Sequence, residues 1–438
     1  MSPLEIGLAI AAATLLVLAT GIPIAFGLGF VSLLFLALFD GVGSINFTGE
    51  LFFSGLTDFT LVAIPMFIVM GTAIASSPAG SDLYGALERW LGRLPGGLVI
   101  SNIGACTIFS ALSGSSPATC AAIGKMGIPE MRRRGYSDAL AAGSIAAGGT
   151  LGILVPPSVT LIVYGIATGT SIGRLFIAGL VPGLMLAGLF MLWAWYASRR
   201  GGGAGGVVTV RYTWREKLAL LPRVLPFLAI VAGILYVLYG GIATPSEAAG
   251  VGAALTVLLV AVAYRRWRPR QIWDIFAASM RESVMIMMII AASALFSYTL
   301  STLFVTQSVA ELIVDLDANR WVVLAIVNVF LLITGFFLPP VAVILMTAPI
   351  LLPIIEAAGF DPYWFAIVMT INMEIGLITP PVGLNLYVIN GIAPDVPLAR
   401  ILAGALPFVL TMVLGIVLLC VFPGIATWLP DLLMGPAG

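Results

Sequence analysis

Long apolar segments, separated by short polar ones, dominate this sequence and restrict the folds open to it. The chain of 438 residues is 60% hydrophobic and only 9% charged, whereas soluble domains carry about 25% charged residues. A chain with so few charges cannot cover a water-exposed surface of its size. About 20 consecutive apolar residues cross the hydrocarbon core of a bilayer as an α-helix. The sequence therefore predicts an all-α polytopic membrane protein.

Apolar segments of that length define the predicted spans. Two further apolar segments, 98–130 and 321–356, are each interrupted near the middle by Gly, Ser or Pro, and we predict that each forms a re-entrant helical hairpin. With this layout 17 of the 20 basic residues fall on one side, which the positive-inside rule makes the cytoplasmic side. Both termini then lie outside the cytoplasm. The ten predicted spans are 4–20, 22–40, 58–76, 137–168, 172–197, 222–240, 245–264, 277–305, 361–393 and 401–428.

Composition excludes several classes of function. Histidine is absent, which removes histidine-based triads, histidine-ligated zinc or haem and histidine proton relays. The three cysteines, Cys106, Cys120 and Cys420, form no ligand-spaced cluster. The net charge is zero, so nothing favours nucleic acid as a partner. We expect no enzymatic activity and no cofactor other than a coupling ion.

The two halves of the chain share glycines and prolines at a constant offset of 224 residues. Each half holds five spans and one hairpin, which is an odd number of crossings, so the second copy is inverted relative to the first. Inverted-topology repeats with discontinuous helices are the architecture of secondary transporters. The matched positions are Pro129 with Pro353, Gly135 with Gly359, Gly152 with Gly376, Pro156 with Pro380 and Pro157 with Pro381. The predicted domains are an N-terminal repeat at 1–198, a flexible cytoplasmic linker at 199–221 and a C-terminal repeat at 222–438.

Two matched breaks interrupt the predicted helices 137–168 and 361–393. The first break is 152–157 and the second is 376–381. Proline removes a donor and clashes with the carbonyl four residues back, so carbonyl groups in each break lose their helical partners. Unwound backbone at this depth is tolerated only inside protein or beside a watery cavity. We predict that each break and the facing hairpin tip form an oxygen cage for Na⁺; the alternative is a proline kink with packing glycines.

Proton coupling would need a titratable group in the membrane. Glu374, just before the second break, is the leading candidate, and Glu247 is the second. The repeat partner of Glu374 is Thr150, so no pair of carboxylates mirrors the symmetry, and sodium is favoured over protons. The alternative role of Glu374 is a helix-end carboxylate that accepts hydrogen bonds from freed backbone donors.

Four motifs carry a resemblance to a known family. They are SGSSPAT (113–119), IPEMRRRGY (128–136), GTLGILVPPS (149–158) and NMEIGLITPPVGLN (372–385). Together they resemble the large membrane subunit (DctM-like) of tripartite ATP-independent periplasmic (TRAP) transporters.

The resemblance implies an elevator-type permease subunit that imports a small organic acid or related solute by sodium symport. It also implies a small membrane subunit (DctQ-like, with four helices), a periplasmic substrate-binding protein (DctP-like) and lipid as partners. The chain would lie in the bacterial inner membrane with both termini in the periplasm. The alternative is a two-component divalent-anion symporter driven by sodium or protons, although the Ser-Asn-Thr tips typical of that class are missing.

The resemblance also implies the residues of the ion sites. Where the family often has an acidic residue after the second hairpin tip, this chain has Leu338, Pro339 and Pro340. Sodium site 1 would comprise Ser113, Ser115, Gly152, Val155 and Pro157. Sodium site 2 would comprise Gly335, Phe337, Leu338, Gly376, Thr379 and Pro381. We assign the substrate region to Ser116, Thr119, Ser158, Glu374 and Asn385.

Overall fold

The computed structural model describes residues 1–199, 212–265, 268–315 and 319–435, and this part of the chain is helical without strands. The all-α prediction is thereby confirmed. The N-terminal half contains α1 (Pro3–Ala19), α2 (Ile24–Phe39), α3 (Thr48–Leu56), α4 (Ala63–Ala75), α5 (Ala79–Leu91), α6 (Gly97–Ser113), α7 (Ser116–Arg133), α8 (Asp138–Thr150), α9 (Val159–Thr168) and α10 (Ile172–Arg199). Short 3-10 helices lie at Val42–Phe47, Phe59–Val62 and Leu151–Ile153.

The second half continues in the same manner. It contains α11 (Trp214–Ala219), α12 (Leu221–Tyr239), α13 (Pro245–Ala263), α14 (Pro269–Thr302), α15 (Val305–Asp315), α16 (Arg320–Gly335), α17 (Pro340–Ala357), α18 (Pro362–Leu377), α19 (Leu384–Ile392), α20 (Leu398–Val421) and α21 (Gly424–Met434).

Six of the described helices are long and apolar enough to cross a bilayer: α10, α12, α13, α14, α17 and α20. Five of these coincide with predicted spans, and α17 was predicted as one arm of the second hairpin. The predicted spans 4–20 and 22–40 correspond to α1 and α2, which have 17 and 16 residues. Both are shorter than the roughly 20 residues of a perpendicular span. The count of ten spans therefore stays a prediction.

Several boundaries differ from those predicted; α20, for example, ends at Val421, seven residues before the predicted end at 428. Helix α14 begins at Pro269, eight residues before the predicted span 277–305, because Pro at the first helical position starts a helix readily. The predicted span 58–76 belongs to a bent pair, since Val42–Leu56 and Phe59–Ala75 meet at 61°. If that pair counts as one crossing, the described chain has up to seven spans.

Both predicted hairpins consist of two helices joined by a short turn, and the helices of each pair contact each other. Gly114, with φ 61°, turns the chain between α6 and α7, a conformation that glycine adopts at little cost. The second turn, between α16 and α17, ends with Pro339, and α17 begins at Pro340.

Each predicted break separates two helices. Helix α8 ends at Thr150, a 3-10 turn follows, and α9 begins only after Pro156 and Pro157. Likewise α18 ends at Leu377 and α19 begins at Leu384. The Pro156-Pro157 and Pro380-Pro381 bonds are both cis. The inverted relation between the halves and the domain boundaries stay predictions.

The two halves pack closely together. Helix α8 lies against α20, α9 against α17 and α10 against α18. A Cβ atom built on Gly404 would overlap the backbone of Ala139, and one built on Gly143 would overlap the backbone of Gly404. Small residues allow such close approach of helices in a membrane. This packing buries the first break, whereas the second break is exposed from Pro380 onward.

Within the predicted linker 199–221, the described residues include the short helix α11. Residues 200–211 lie outside the described part. From Tyr212 onward the chain docks on α5: Tyr212 donates to Glu88 at 2.8 Å, and the Trp90 and Trp214 rings meet edge-on with centroids 5.9 Å apart. Trp214 packs on α5 because its ring finds an apolar partner in the Trp90 ring.

Candidate functional site

The tip of the first hairpin lies directly against the first break. A Cβ atom built on Gly152 would lie 2.7 Å from the backbone N and Cα of Ser116 and from the carbonyl carbon of Ser115. A Cβ atom built on Gly114 would lie 3.5 Å from the carbonyl oxygen of Pro157. Backbone therefore meets backbone at this point, and glycine is needed at 152 for that approach.

Hydroxyl groups at the first tip form a small network. The Ser113 and Thr119 hydroxyls are 2.9 Å apart, and the Thr119 hydroxyl donates to the Ser115 carbonyl at 2.9 Å. Ser113 is 5% exposed and Thr119 is fully buried. These oxygens lie beside the first break and provide hard ligands of the kind that alkali and alkaline-earth cations prefer.

Within the first break, the backbone is only partly hydrogen-bonded. The Val155 N–H donates to the Leu151 carbonyl at 3.1 Å, and the Ser158 hydroxyl donates to the Ile153 carbonyl at 2.6 Å. No hydrogen bond among the described residues reaches the carbonyl oxygens of Gly152 or Val155. The Ser158 hydroxyl thus serves the backbone of the break.

The second tip and the second break also meet. A Cβ atom built on Gly376 would overlap the carbonyl group of Gly335. The carbonyl groups beside the second break were predicted to lack partners, but two of them are hydrogen-bonded to Thr379. Its N–H donates to the Gly376 carbonyl at 3.4 Å, and its hydroxyl donates to the Ile375 carbonyl at 2.6 Å. Part of the helical hydrogen bonding therefore persists, because the prolines come only after Thr379.

Exposure differs between the two predicted sodium sites. The residues of site 1 are buried except Ser115, which is half-buried. In site 2, Phe337 is 58% exposed, Pro381 is exposed, and Leu338 and Thr379 are half-buried. The first pair of tip and break is therefore enclosed, whereas the second is open on one side.

Glu374 connects the two halves. It is 1% exposed, and its Oε1 atom accepts a short hydrogen bond from the Ser116 hydroxyl of the first hairpin. The N–H of Ile153, in the first break, also lies within hydrogen-bond reach of this carboxyl group. The Oε2 atom has no partner among the described residues. One role considered for Glu374 in the sequence was a helix-end carboxylate that accepts hydrogen bonds from backbone donors. In the structure its hydrogen-bond donor, Ser116, belongs to the other half of the chain.

Asn385 lies apart from Ser116 and Glu374. Its Nδ2 donates to the Ala146 carbonyl of α8 at 3.4 Å, and its Oδ1 has no partner among the described residues. Of the five residues assigned to the substrate region, the structure thus joins Ser116 to Glu374, while Thr119, Ser158 and Asn385 bond to nearby backbone.

A cavity of about 340 Å³ lies between the two hairpin tips and the helices α4 and α14. We call it the central cavity. Its walls include 113–118 of the first tip, 339–342 of the second tip, Thr72 of α4, Thr160 of α9 and Glu282 of α14. Pockets for small molecules have volumes of about 300–1,000 Å³. Of the assigned substrate region only Ser116 lines this cavity.

Sequence reasoning missed three polar residues of the cavity wall: Thr72, Thr160 and Glu282. The two threonines stand in apolar helices, where nothing marks them as special. Glu282 carries a signal, because it is a carboxylate within a helix that otherwise passes the test for a membrane span. Among the described residues, no cluster of three His, Cys, Asp or Glu side chains could hold a metal ion.

Two hairpins and two broken helices around the central cavity define a multi-pass membrane transport protein. The Alcanivorax borkumensis YdaH transporter has a similar fold, with a TM-score of 0.65 over 90% of this chain and 91% of that one, at 17% identity. Residues 11–425 match the family model described as "Tripartite ATP-independent periplasmic transporter, DctM component", and the chain belongs to this family. The family model that matches is therefore not that of the two-component divalent-anion symporters, which were the alternative considered from the sequence.

Curated relatives agree with the family model. The C4-dicarboxylate TRAP transporter large permease protein DctM of Pseudomonas aeruginosa is 40% identical over 85% of this chain and 86% of that protein. The protein of the same name from Vibrio cholerae is 37% identical over 95% of both chains. These relatives are named as permeases rather than as enzymes.

Proposed function

We propose that this chain is the permease subunit of a sodium-driven importer of organic acids in the bacterial inner membrane. The observation that carries the proposal is that both hairpin tips and both broken helices gather around the central cavity. Solute and coupling ions can then bind within one rigid group of helices, with sites near the repeat interface. The dicarboxylate named for the relatives supports an acid as the solute.

The residues of the first sodium site suit the ion. The hydroxyls of Ser113 and Ser115 and the carbonyls of Gly152 and Val155 would offer uncharged oxygens to the ion, since the Gly152 backbone touches the backbone of the first tip. Neutral oxygen ligands match a hard monovalent cation, and unwound backbone coordinates Na⁺ in other transporters with broken helices. The second site, with Gly335, Gly376 and Thr379, would bind a second ion at its more open position.

The proposed transport cycle is an elevator movement. The hairpins and broken helices would carry solute and sodium past α4 and α14, which form the opposite wall of the central cavity. A periplasmic binding protein would deliver the solute, and a small membrane subunit would complete the complex, in keeping with the tripartite family. Both termini would lie in the periplasm.

The test is uptake by the complete tripartite system in proteoliposomes. An inward sodium gradient should drive concentrative uptake of an organic acid, and a pH gradient alone should not. Omitting the binding protein should abolish uptake at low solute concentration, because the solute would no longer be delivered to the permease. Uptake that persists after the sodium gradient is collapsed would contradict sodium coupling and make Glu374 the coupling residue.

A further inference from the structure

Glu282 is the only formally charged residue among the described residues that line the central cavity. It lies on α14 with Ala278, Met285 and Ile289, which follow at helical spacing and form one face toward the cavity. Its side chain has no hydrogen-bond or salt-bridge partner among the described residues. The cavity thus contains an uncompensated negative charge.

The cavity wall opposite α14 offers few hydrogen-bond donors for a second carboxylate of a solute. No Lys or Arg lines the cavity within the described chain. The Ser116 hydroxyl proton is directed to Glu374, and the Ser113 hydroxyl is paired with Thr119. The hydroxyls of Ser115, Thr72 and Thr160 remain available to a ligand, which is enough for one carboxylate.

The two walls therefore differ in what they can bind. Hydroxyl donors near the first hairpin tip can satisfy one carboxylate of a solute. A second carboxylate at the α14 wall would face the like charge of Glu282 in a largely apolar cavity, where repulsion is poorly screened. A cationic nitrogen at that position would instead form a charge-assisted hydrogen bond with Glu282.

We propose that the transported solute carries a cationic nitrogen as well as a carboxylate, and that Glu282 binds the nitrogen. This inference rests on the proposed transport function and narrows its substrate class from organic acids in general to zwitterionic ones. It departs from the dicarboxylates for which the relatives with 40% and 37% identity are named.

Two pairs of probes test the proposal: succinate with γ-aminobutyrate, and glutarate with 5-aminopentanoate. Within each pair, one terminal carboxylate is replaced by an aminomethyl group. Thermal stabilisation of the purified chain in sodium-containing buffer would be measured over a range of probe concentrations. We expect the amino-acid member of each pair to bind about tenfold more tightly, the difference made by one hydrogen bond to a charged group.

Variants at position 282 connect this preference to the side chain. Glu282→Gln should remove the preference, and Glu282→Lys should reverse it in favour of the dicarboxylates. The matched control is Asp274→Asn, which removes an exposed carboxylate on the same helix outside the cavity wall and should leave the preference unchanged.

Two outcomes would overturn the proposal. One is a wild-type chain without a preference for the amino-acid members, whether it binds dicarboxylates better or neither class. The other is a preference that survives in Glu282→Gln. Neither outcome bears on sodium-driven uptake by the complete system, so failure of this inference is distinguishable from failure of the proposed function.

Discussion

At Gly152 and Gly376 the backbone of a helix break touches the backbone of a hairpin tip. A side chain at either position would meet main-chain atoms, which cannot move aside as a flexible side chain can. The close approach of the two backbones therefore requires glycine at both positions. If the proposed sodium sites lie here, packing and ion binding depend on the same two residues.

Adding a single methyl group tests that link. Gly152→Ala and Gly376→Ala should each weaken the apparent sodium affinity of uptake and lower the sodium Hill coefficient, because tip and break must separate. Overpacking of this kind costs about 1–3 kcal/mol. The measurement is the sodium dependence of uptake by the complete system, on variants that remain monodisperse.

Gly250→Ala on α13 is the control for this prediction, since nothing lies within 4 Å of its added methyl group. If both alanine variants keep the wild-type sodium curve, the two glycines are packing residues and our assignment of the sodium sites is wrong.

Some site residues could be found in the sequence and others could not. The matched glycines and prolines were visible because a repeat preserves their spacing, which a single sequence records. The Ser116–Glu374 hydrogen bond was not visible, because its partners lie 258 residues apart and no local pattern relates them. Glu282 does carry a local signal, as a carboxylate within an apolar helix, but its importance depends on the hairpin tips that face it.

Among the elements, α11 changes the interpretation of the segment between the halves. Thr213 and Glu216 form a capping box that starts this helix, and the Lys217 ammonium lies 5.3 Å from the Trp90 ring centroid. The Arg89 side chain donates to the Glu216 carbonyl at 2.8 Å. The Tyr212 phenol is protonated at neutral pH and donates to Glu88, and burial raises its pKa further.

Removing the aromatic contact should release this helix from α5. Trp214→Ala is expected to lose about 1 kcal/mol of docking energy, which raises the undocked population roughly fivefold. Limited trypsin digestion should then cleave faster between residues 199 and 217. Trp273→Ala, which removes an exposed ring from α14, should leave the rate unchanged. Equal rates in wild type and Trp214→Ala would show that the ring contact does not hold the helix.

Helix identity was easier to predict than helix length. Apolar runs in the sequence located α10, α12, α13 and α20, because these helices are apolar along most of their length. The start of α14 and the bend before α4 were missed, since a helix can continue beyond the apolar run and a bend depends on tertiary packing. The docked α11 was missed because six residues, three of them charged, give no apolar period.

At the scale of the whole molecule, α8 and α20 join the two halves. Gly143 and Gly404 face each other across this contact, and Asp138 at the start of α8 forms salt bridges with Arg132 and Arg400. The ion pairs are partly exposed and contribute little, about 0–1 kcal/mol each. Close backbone packing is therefore the main stabilising feature of this contact.

The interface can be tested with one methyl group. Gly404→Ala should lower the thermal stability of the purified chain, by about 1–3 kcal/mol, because the added Cβ would overlap the Ala139 carbonyl. Gly391→Ala on α19, where nothing lies within 4 Å, should have no such effect. Unfolding midpoints by differential scanning fluorimetry would show the difference. Equal midpoints for the two variants would contradict the close approach of α8 and α20.

The hydrogen bond between Ser116 and Glu374 also bears on how the chain is made. Its partners are separated by 258 residues, and a ribosome adds about 5–20 residues per second, so roughly ten to fifty seconds pass between their synthesis. Throughout that interval the Ser116 hydroxyl and the Ile153 N–H have no carboxylate to bind, and lipid offers no substitute. We therefore expect the first hairpin to reach its final position in the bilayer only after the second break has been translated. Its insertion would then not follow the order of synthesis.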